Sequence, residues 1–494
     1  MKTAKKFKTF VLNALLLTAT SLVLNSIAIT FNVYISNQIG AEAMGVFQLV
    51  MSVYMFAITL ATSGIGLAAT RLVSEELAVN RNASRVVRNC IIYALSFGLL
   101  SAGLLATSAN LIAEHWINGK ISAMPFYALA ISLPFISVSA VFSGYFTAVR
   151  QVAKNASAQI LEQLARTFIV IYILNLLLPR GLELAIFAIV LGGLLSEVIS
   201  CLYLGLLYLI GRMKFKTTAS CGDNLTKRML GISLPVAFSS YIRSGLLAVK
   251  QIITPIFLTR SEMSFSDALA KYGIIHGMVV PIIMFPARIF YSASSLLIPE
   301  VSRLHISSNP QRINYVISRT FKVTFILAIG ICGILFNFAG DFAERLYRNA
   351  EVATYIRIFA FLAPAMYFDS IIDGFLKGLN RQLSVVYINI VETVTTIALI
   401  FFLLPAFGVL GYVAVIFITE ILNGALSFRI LRKETRCKIE IFNWILKPAG
   451  AVVAAIAAVR LIPINSLIIN TSLVGVIYLG VLFMIGSVRM EDFR

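Results

Sequence analysis

Apolar residues fall in long runs along this chain, and short polar segments separate the runs. Each run is about 18 to 25 residues long, which is the length an α-helix needs to cross roughly 30 Å of hydrocarbon. The apolar positions do not alternate with period two, which excludes an outer-membrane β-barrel. The pattern predicts an all-α polytopic membrane protein with about fourteen transmembrane spans. The predicted spans are 10–35, 45–70, 90–112, 124–148, 164–179, 184–210, 232–258, 273–298, 321–340, 355–376, 385–405, 409–428, 445–461 and 467–487.

Basic residues alternate between heavily and lightly charged connections. Thirty of the 41 Lys and Arg residues fall in connections on one side, eight on the other, and three lie inside spans. The richly basic side is the cytoplasmic one in membrane proteins, so both termini are predicted to be cytoplasmic. The first apolar run is too long for the core of a signal peptide and is predicted to be the first span. A multi-pass protein of a bacterial plasma membrane is expected.

Composition agrees with this topology and excludes other classes. Hydrophobic residues make up 59% of the chain, charged residues 13%, and the mean hydropathy is +0.90. The net charge of +19 would suggest nucleic acid in a soluble protein, but here basic loops explain it. The longest polar stretches are too short for a soluble catalytic domain. No nucleotide-binding, metalloprotease or serine-hydrolase motif occurs, so neither an enzyme nor a cofactor is expected.

Metal and disulfide chemistry are not indicated either. The five cysteines are scattered and lack CxxC spacing, and the three histidines are dispersed. The cysteines are Cys90, Cys201, Cys221, Cys332 and Cys437.

The chain repeats itself at an interval of about 230 residues. Pro134, Gly144 and Glu162 recur as Pro364, Gly374 and Glu392, displaced by 230, and Gly45 and Ser74 recur as Gly273 and Ser302, displaced by 228. The repeat predicts two pseudo-symmetric six-helix lobes of parallel orientation, which is a transporter architecture with the substrate site between the lobes. The predicted divisions are an N-terminal lobe at 1–211, a basic linker at 212–231, a C-terminal lobe at 232–432, and a basic loop with two further spans at 433–494.

Three cations lie inside predicted spans. Arg243 and Lys250 are seven residues apart, so they share a helix face two turns apart, and Arg288 lies in the next span. A cation at mid-membrane costs about 3 kcal/mol and requires a partner or water. One interpretation is pairing with the acidic residues Asp369, Asp373, Glu392 or Glu420. The favoured interpretation is a hydrated cavity that binds phosphate groups.

Other polar residues in the spans leave alternatives open. Asp369 and Asp373 are one turn apart and either neutralise the cations or couple transport to H+ or Na+. Asn13, Asn25 and Asn32 in the first span either bond neighbouring helices or face a cavity, with the cavity favoured. Three charged residues are predicted at the cytoplasmic ends of spans, namely Arg71, Glu162 and Glu392.

Several motifs together resemble one protein family. They are "IGAEAMGVFQLVMSVYMF" (39–56), "LATSGIGLAATRLVSE" (60–75), "QILEQLARTFIV" (159–170), "ISLPVAFS" (232–239), "YGIIHGMVVPIIMFPARIFYSASSLLIPEVSR" (272–303) and "DGFLKGLNRQ" (373–382). The chain resembles the stage V sporulation protein B branch of the polysaccharide flippases, in the multidrug/oligosaccharidyl-lipid/polysaccharide exporter superfamily. The resemblance implies a V-shaped, two-lobed transporter with a central cationic cavity that contains Arg243, Lys250 and Arg288.

The resemblance also implies a polyprenyl diphosphate that carries a sugar chain, such as a peptidoglycan or polysaccharide precursor. One departure concerns the first span, where family members place an arginine and this chain has Phe31 and Asn32. Three hypotheses follow: a flippase for a lipid-linked glycan, a cation-coupled drug antiporter of the same superfamily, and a non-transporting scaffold in wall synthesis. A monomer is expected, surrounded by membrane lipids.

Overall fold

A computed structural model describes residues 2–79, 83–212, 225–307, 309–435, 440–461 and 466–487. For residues 2–19 and 21–22 it describes the backbone alone. The described residues are almost entirely helical and contain no strand. The predicted all-α membrane fold is confirmed.

The first seven helices belong to the first of two compact units, Met1–Ile256 and Phe257–Arg494. These helices are α1 Lys2–Thr62, α2 Ile65–Ala78, α3 Ser84–Leu111, α4 Met124–Ala148, α5 Val152–Leu177, α6 Leu182–Arg212 and α7 Leu225–Leu258. The predicted linker at 212–231 falls mainly on residues outside the described ranges. The predicted domain limits stay a prediction.

The second unit begins at the end of α7. Its helices are α8 Phe265–Tyr272, α9 Val280–Ile306, α10 Pro310–Asn337, α11 Ala339–Phe342, α12 Ala350–Ala360, α13 Ala363–Gly378, α14 Gln382–Thr435, α15 Lys447–Arg460 and α16 Leu467–Met484. A π-helical stretch at Gly273–Val279 joins α8 to α9, and another at Phe442–Leu446 precedes α15.

Two glycines account for the number of spans. Eleven described helices are long and apolar enough to cross a membrane, or twelve when the bent pair α12 and α13 counts as one span. Inside α1, Gly40 has φ 77°, and inside α14, Gly408 has φ 54°, so each of these helices consists of two segments. Without a break, the 61 residues of α1 would extend about 90 Å, three times the hydrocarbon thickness. The division at both glycines gives the fourteen predicted spans.

Two predicted boundaries were wrong. The second span was expected to continue to residue 70, but Ser63 and Gly64 have φ of 41° and 70°, which ends α1 at Thr62. The fifth span was expected to begin at residue 164, but α5 begins at Val152. Its first turns contain polar residues that resemble a loop, although Ala156 and Ala158 among them are buried.

The internal repeat is present in the helix crossings of each unit. In the first unit, a Cβ atom at Gly144 of α4 would lie 2.6 Å from the carbonyl oxygen of Gly66. In the second unit, a Cβ atom at Gly374 of α13 would lie 2.8 Å from the carbonyl oxygen of Ser294. The partners are displaced by 230 and 228 residues, which are the two displacements found in the sequence. Both units therefore use a glycine at the same close crossing.

The turns of the two units repeat as well. Arg150 and Asn380 are both left-handed, with φ of 59° and 61°, and each ends its helix in the same way. The N–H of Gln151 donates to the carbonyl of Phe146 at 2.9 Å, and that of Arg381 donates to Leu376 at 2.8 Å. This six-to-one bond is that of a Schellman motif. A left-handed pair also occurs at Asn118 and Arg348.

The last two helices pack on α10. The hydroxyl of Tyr478 donates to the carbonyl of Ile326 at 2.7 Å, and its ring covers Gly330. Val452 of α15 lies against Gly333 in the same way. The small residues of α10 thus let α15 and α16 approach closely.

Alanine substitution at Gly144 tests the repeated crossing. The new Cβ would meet a backbone oxygen at 2.6 Å, so we expect a loss of about 1–3 kcal/mol in the free energy of unfolding. At Gly103 of α3 nothing lies within 4 Å of the added Cβ, so Gly103→Ala should stabilise the protein through its better helix propensity. The two variants should shift the melting temperature of the detergent-purified protein in opposite directions. Equal shifts would contradict the close crossing.

Candidate functional site: charged residues inside the helices

Helix α7 packs against α1 and the turn that follows it. The hydroxyl groups of Tyr241 and Ser63 are hydrogen-bonded. The hydroxyl of Thr59 donates to that of Ser244 at 3.0 Å. A Cβ atom at Gly64 would lie 2.9 Å from a backbone oxygen of α7. One face of α7 is therefore held within the first unit.

Arg243 and Lys250 lie on the other side of α7. Each follows by two residues a position that faces the unit, namely Tyr241 and the buried Ala248. Two residues correspond to about 200° around a helix, so both cations project away from the packed face. Arg243 is exposed and Lys250 is partly buried. The helix joins the two cations into one basic stripe.

Arg288 belongs to the second unit. It is exposed on α9, in the same helix as the buried residues Ala287 and Phe290. Arg243 and Lys250 belong to the first unit. A single cavity that contains all three cations therefore stays a prediction.

The two aspartates of α13 have partners other than these cations. The amide of Asn423 on α14 donates to Oδ2 of Asp369 at 3.4 Å, and Ser427 is also hydrogen-bonded to Asp369. The other oxygen, Oδ1, is buried and has no partner among the described residues. Asp373 pairs with Lys377 at 3.1 Å on its own helix. These contacts give no support to the interpretation that the aspartates neutralise Arg288 or Lys250.

The first unit contains an ionic triad that sequence reasoning missed. Arg166 of α5 places Nη2 3.1 Å from Oε1 of Glu162 and 3.1 Å from Oε1 of Glu197 on α6. Its Nε donates to the hydroxyl of Ser196 at 3.3 Å. One guanidinium thus lies between two carboxylates, and the triad has a formal charge of −1. We call it the α5–α6 triad.

The triad was missed because of the wrong start of α5. Since α5 begins at Val152, Glu162 lies about 15 Å along the helix and not at its cytoplasmic end. The same correction applies to Glu392, because α14 begins at Gln382. Glu197 lies near the middle of the 31-residue α6. An acid inside so apolar a run is itself a signal that could have identified it.

The corresponding positions of the second unit are different. Displacement by 230 residues replaces Arg166 with Thr396 and Glu197 with Ser427. The hydroxyl of Thr396 donates to the carbonyl of Glu392 at 2.8 Å, and Ser427 bonds Asp369. Both units thus have a polar centre between equivalent helices, but only that of the first contains an arginine.

The first span is polar in part. Asn25 is partly buried, and its Nδ2 has no partner among the described residues. Asn32 is also partly buried, whereas the side chain of Asn13 lies outside the described residues. The hydroxyl of Tyr34 donates to Oδ1 of Asn175 at 3.2 Å, which connects α1 to α5. Assignment of these asparagines to a cavity stays a prediction.

Ion pairs connect α2 to the start of α7. Arg71 is exposed and pairs with Glu75 at 3.0 Å, and Glu75 also pairs with Arg228. Glu76 is buried, and its Oε1 lies 3.8 Å from Arg228. These contacts fix the packed face of α7 at this end.

Metal ligands are not grouped in the described ranges, where no cluster of three or more His, Cys, Asp or Glu side chains could hold an ion. Cys90, Cys201 and Cys332 are free thiols. Cys221 and Cys437 lie outside the described residues.

Comparison with known proteins identifies the fold. A lipid II flippase, MurJ, in an inward closed conformation has a TM-score of 0.71, with 11% sequence identity over 95% of this chain and 98% of the flippase. An inward-facing multidrug resistance MATE family transporter of the MOP superfamily has a TM-score of 0.64, with 14% identity over 84% of this chain and 94% of the transporter. The expectation of a membrane protein that performs no covalent chemistry agrees with these neighbours.

Sequence comparison confirms the resemblance found in the motifs. Stage V sporulation protein B of Bacillus subtilis (strain 168) is 25% identical over 457 residues, which is 90% of this chain and 88% of that protein. Polysaccharide biosynthesis proteins match residues 10–305 and 300–453. Since this match extends over most of both units, the chain belongs to the polysaccharide biosynthesis protein family.

Proposed function

We propose that this protein is a flippase that moves a polyprenyl-diphosphate-linked glycan across the bacterial plasma membrane by alternating access. The glycan would be a peptidoglycan or polysaccharide precursor. The observation that carries the proposal is the basic stripe of α7. Arg243 and Lys250 share the face that is not packed within the first unit. The proposed orientation has both termini in the cytoplasm, as the distribution of basic residues indicates.

The chemistry of the stripe fits a diphosphate. A guanidinium offers a planar fork of donors that binds phosphate oxygens in pairs, and an ammonium group acts as a point charge. Seven residues along a helix separate the two groups by about 10 Å, which is the scale of a diphosphate and its first sugar. A diphosphate cannot cross hydrocarbon unaided, so a cationic, hydrated path is the physical requirement for transport.

The contrast with Arg166 supports a ligand-binding role for the stripe. Arg166 is an intramembrane cation that two carboxylates neutralise. Among the described side chains, none forms an ion pair with Arg243. The scaffold hypothesis required every intramembrane charge to be paired, and Arg243 does not meet that requirement.

Leaflet accessibility in proteoliposomes tests the proposal. With a labelled polyprenyl-diphosphate glycan, the change Arg243→Ala, Lys250→Ala should slow protein-dependent flipping by at least about 100-fold, because two charge-assisted bonds to phosphate are lost. The measurement is the fraction of label that an impermeant reagent reaches over time.

Arg85 and Arg88 provide the matched control. Both are exposed, and they lie one turn apart at the start of α3 in the same unit. Arg85→Ala, Arg88→Ala should flip the glycan at the wild-type rate. Equal losses in both double variants would show a general effect of charge, and no flipping by well-folded wild type would refute the flippase proposal.

A second candidate function is a cation-coupled antiporter. The observation in its favour is Asp369, whose buried Oδ1 has no partner among the described residues. An acid of this kind is suited to bind a proton or Na+. The neighbouring MATE family transporter provides a second reason to consider it.

The variant Asp369→Asn separates the two candidates. An amide can occupy the same space and keep a contact with Asn423, so the protein should fold. We expect it to flip the glycan at close to the wild-type rate, because the α7 cations and not this carboxylate bind the diphosphate. Ion-driven export of drugs that Asp369→Asn abolishes, and that the change Arg243→Ala, Lys250→Ala leaves intact, would establish the antiporter instead.

A further inference from the structure

A basic pocket lies where α10, the start of α15 and the end of α16 meet in the second unit. Its volume is about 490 Å³, and its lining includes Arg319 and Lys322 of α10 and Lys447 of α15. Glu440 is its single acidic lining residue. The amide of Asn443 donates to Glu440 at 3.0 Å, so this carboxylate already has a partner. The lining has a formal charge of +2, and we call it the α10–α15 pocket.

Aromatic groups position two of its cations. The guanidinium of Arg319 donates to the hydroxyl of Tyr315 at 2.9 Å, on the same helix. The ammonium of Lys447 lies 5.5 Å from the ring centroid of Phe442. Contacts of this kind orient a cation but do not neutralise it. The pocket thus keeps its positive charge available for an anionic ligand.

The rim of the pocket is apolar and exposed. Phe442 is 63% exposed and Met484 is 89% exposed, and Ile441 and Ile485 beside them are also exposed. In a membrane, side chains of this kind contact lipid. Trp444, which lines the pocket, is buried. An occupant of the pocket would therefore meet cations at one end and hydrocarbon at the other.

A neighbouring cavity shows that this lining is not general. It has a volume of about 530 Å³ and lies at the same end of α10, beside Asn309 and Ile313. Its ionisable lining residues are His305 and Glu434, and neither lysine nor arginine lines it. A gap between helix ends is therefore not basic by default, and the charge of the α10–α15 pocket is specific to it.

We propose that the α10–α15 pocket binds the phosphate headgroup of an anionic glycerophospholipid, whose acyl chains lie along the exposed apolar rim. In the predicted orientation the pocket faces the cytoplasmic leaflet, whose negative surface potential attracts basic groups. Basic pockets between helix ends on this side of the membrane suit lipid headgroups. The site is separate from the basic stripe of α7 and does not depend on flippase activity.

Native mass spectrometry of the full chain, titrated with phosphatidylglycerol, tests the site. The change Lys322→Gln, Lys447→Gln should weaken the tightest phosphatidylglycerol binding by about 30-fold, because two lysine contacts to the anionic headgroup are lost. Phosphatidylcholine, which has a phosphate but no net charge, should not compete, and inorganic phosphate should not displace the lipid.

Two further variants serve as controls. Arg432→Gln, Lys433→Gln removes two exposed cations at the end of α14 and should leave binding unchanged. Lys322→Arg, Lys447→Arg keeps the charge and should bind like the wild type, which also separates loss of binding from loss of fold. Equal weakening in both Gln variants, or weakening in the Arg variant, would overturn the proposal. Displacement by inorganic phosphate would assign the pocket to the free anion instead.

Discussion

A backbone amide or carbonyl in hydrocarbon has no water to bond, and this constraint explains why the described chain is helical throughout. Helices satisfy their own backbone groups, but lipid is as apolar as their side chains, so burial of apolar surface does little to join them. Close approach at small residues supplies the missing attraction. Gly144 and Gly374 provide it at equivalent crossings in the two units. The hydroxyl of Thr70 adds a bond of 3.2 Å to the carbonyl of Gly144 across the first crossing.

The same constraint separates structural charges from candidate binding charges. A charge that remains in hydrocarbon requires a partner, and Arg166 has two of them in the α5–α6 triad. Asp369 is held by Asn423 and Ser427 across two helices. Arg243 differs because it lies on an unpacked face, where it requires water or an anionic ligand. Function is therefore assigned to α7, while the triad is assigned to the packing of α5 on α6.

Much of the fold could be predicted because the thickness of the bilayer determines the length of each apolar run. The repeat was also visible, since Pro134, Gly144 and Glu162 have counterparts in register. It extends to the backbone, where Arg150 and Asn380 end equivalent helices in the left-handed conformation. The start of α5 was not predicted, because a polar helix turn and a polar loop have the same composition. That single error hid Arg166 among the loop charges.

The sequence by itself determined the class of protein, the number of spans, the internal repeat, the family, and the shared helix face of Arg243 and Lys250. Each of these follows from local periodicity, spacing or composition. Only the tertiary structure decided which charges meet. Glu197 is 31 residues from Arg166, and Asn423 is 54 residues from Asp369. The α10–α15 pocket likewise combines three helices. Such pairings depend on how each helix is rotated and where it crosses its neighbour, and the packing of small residues sets both.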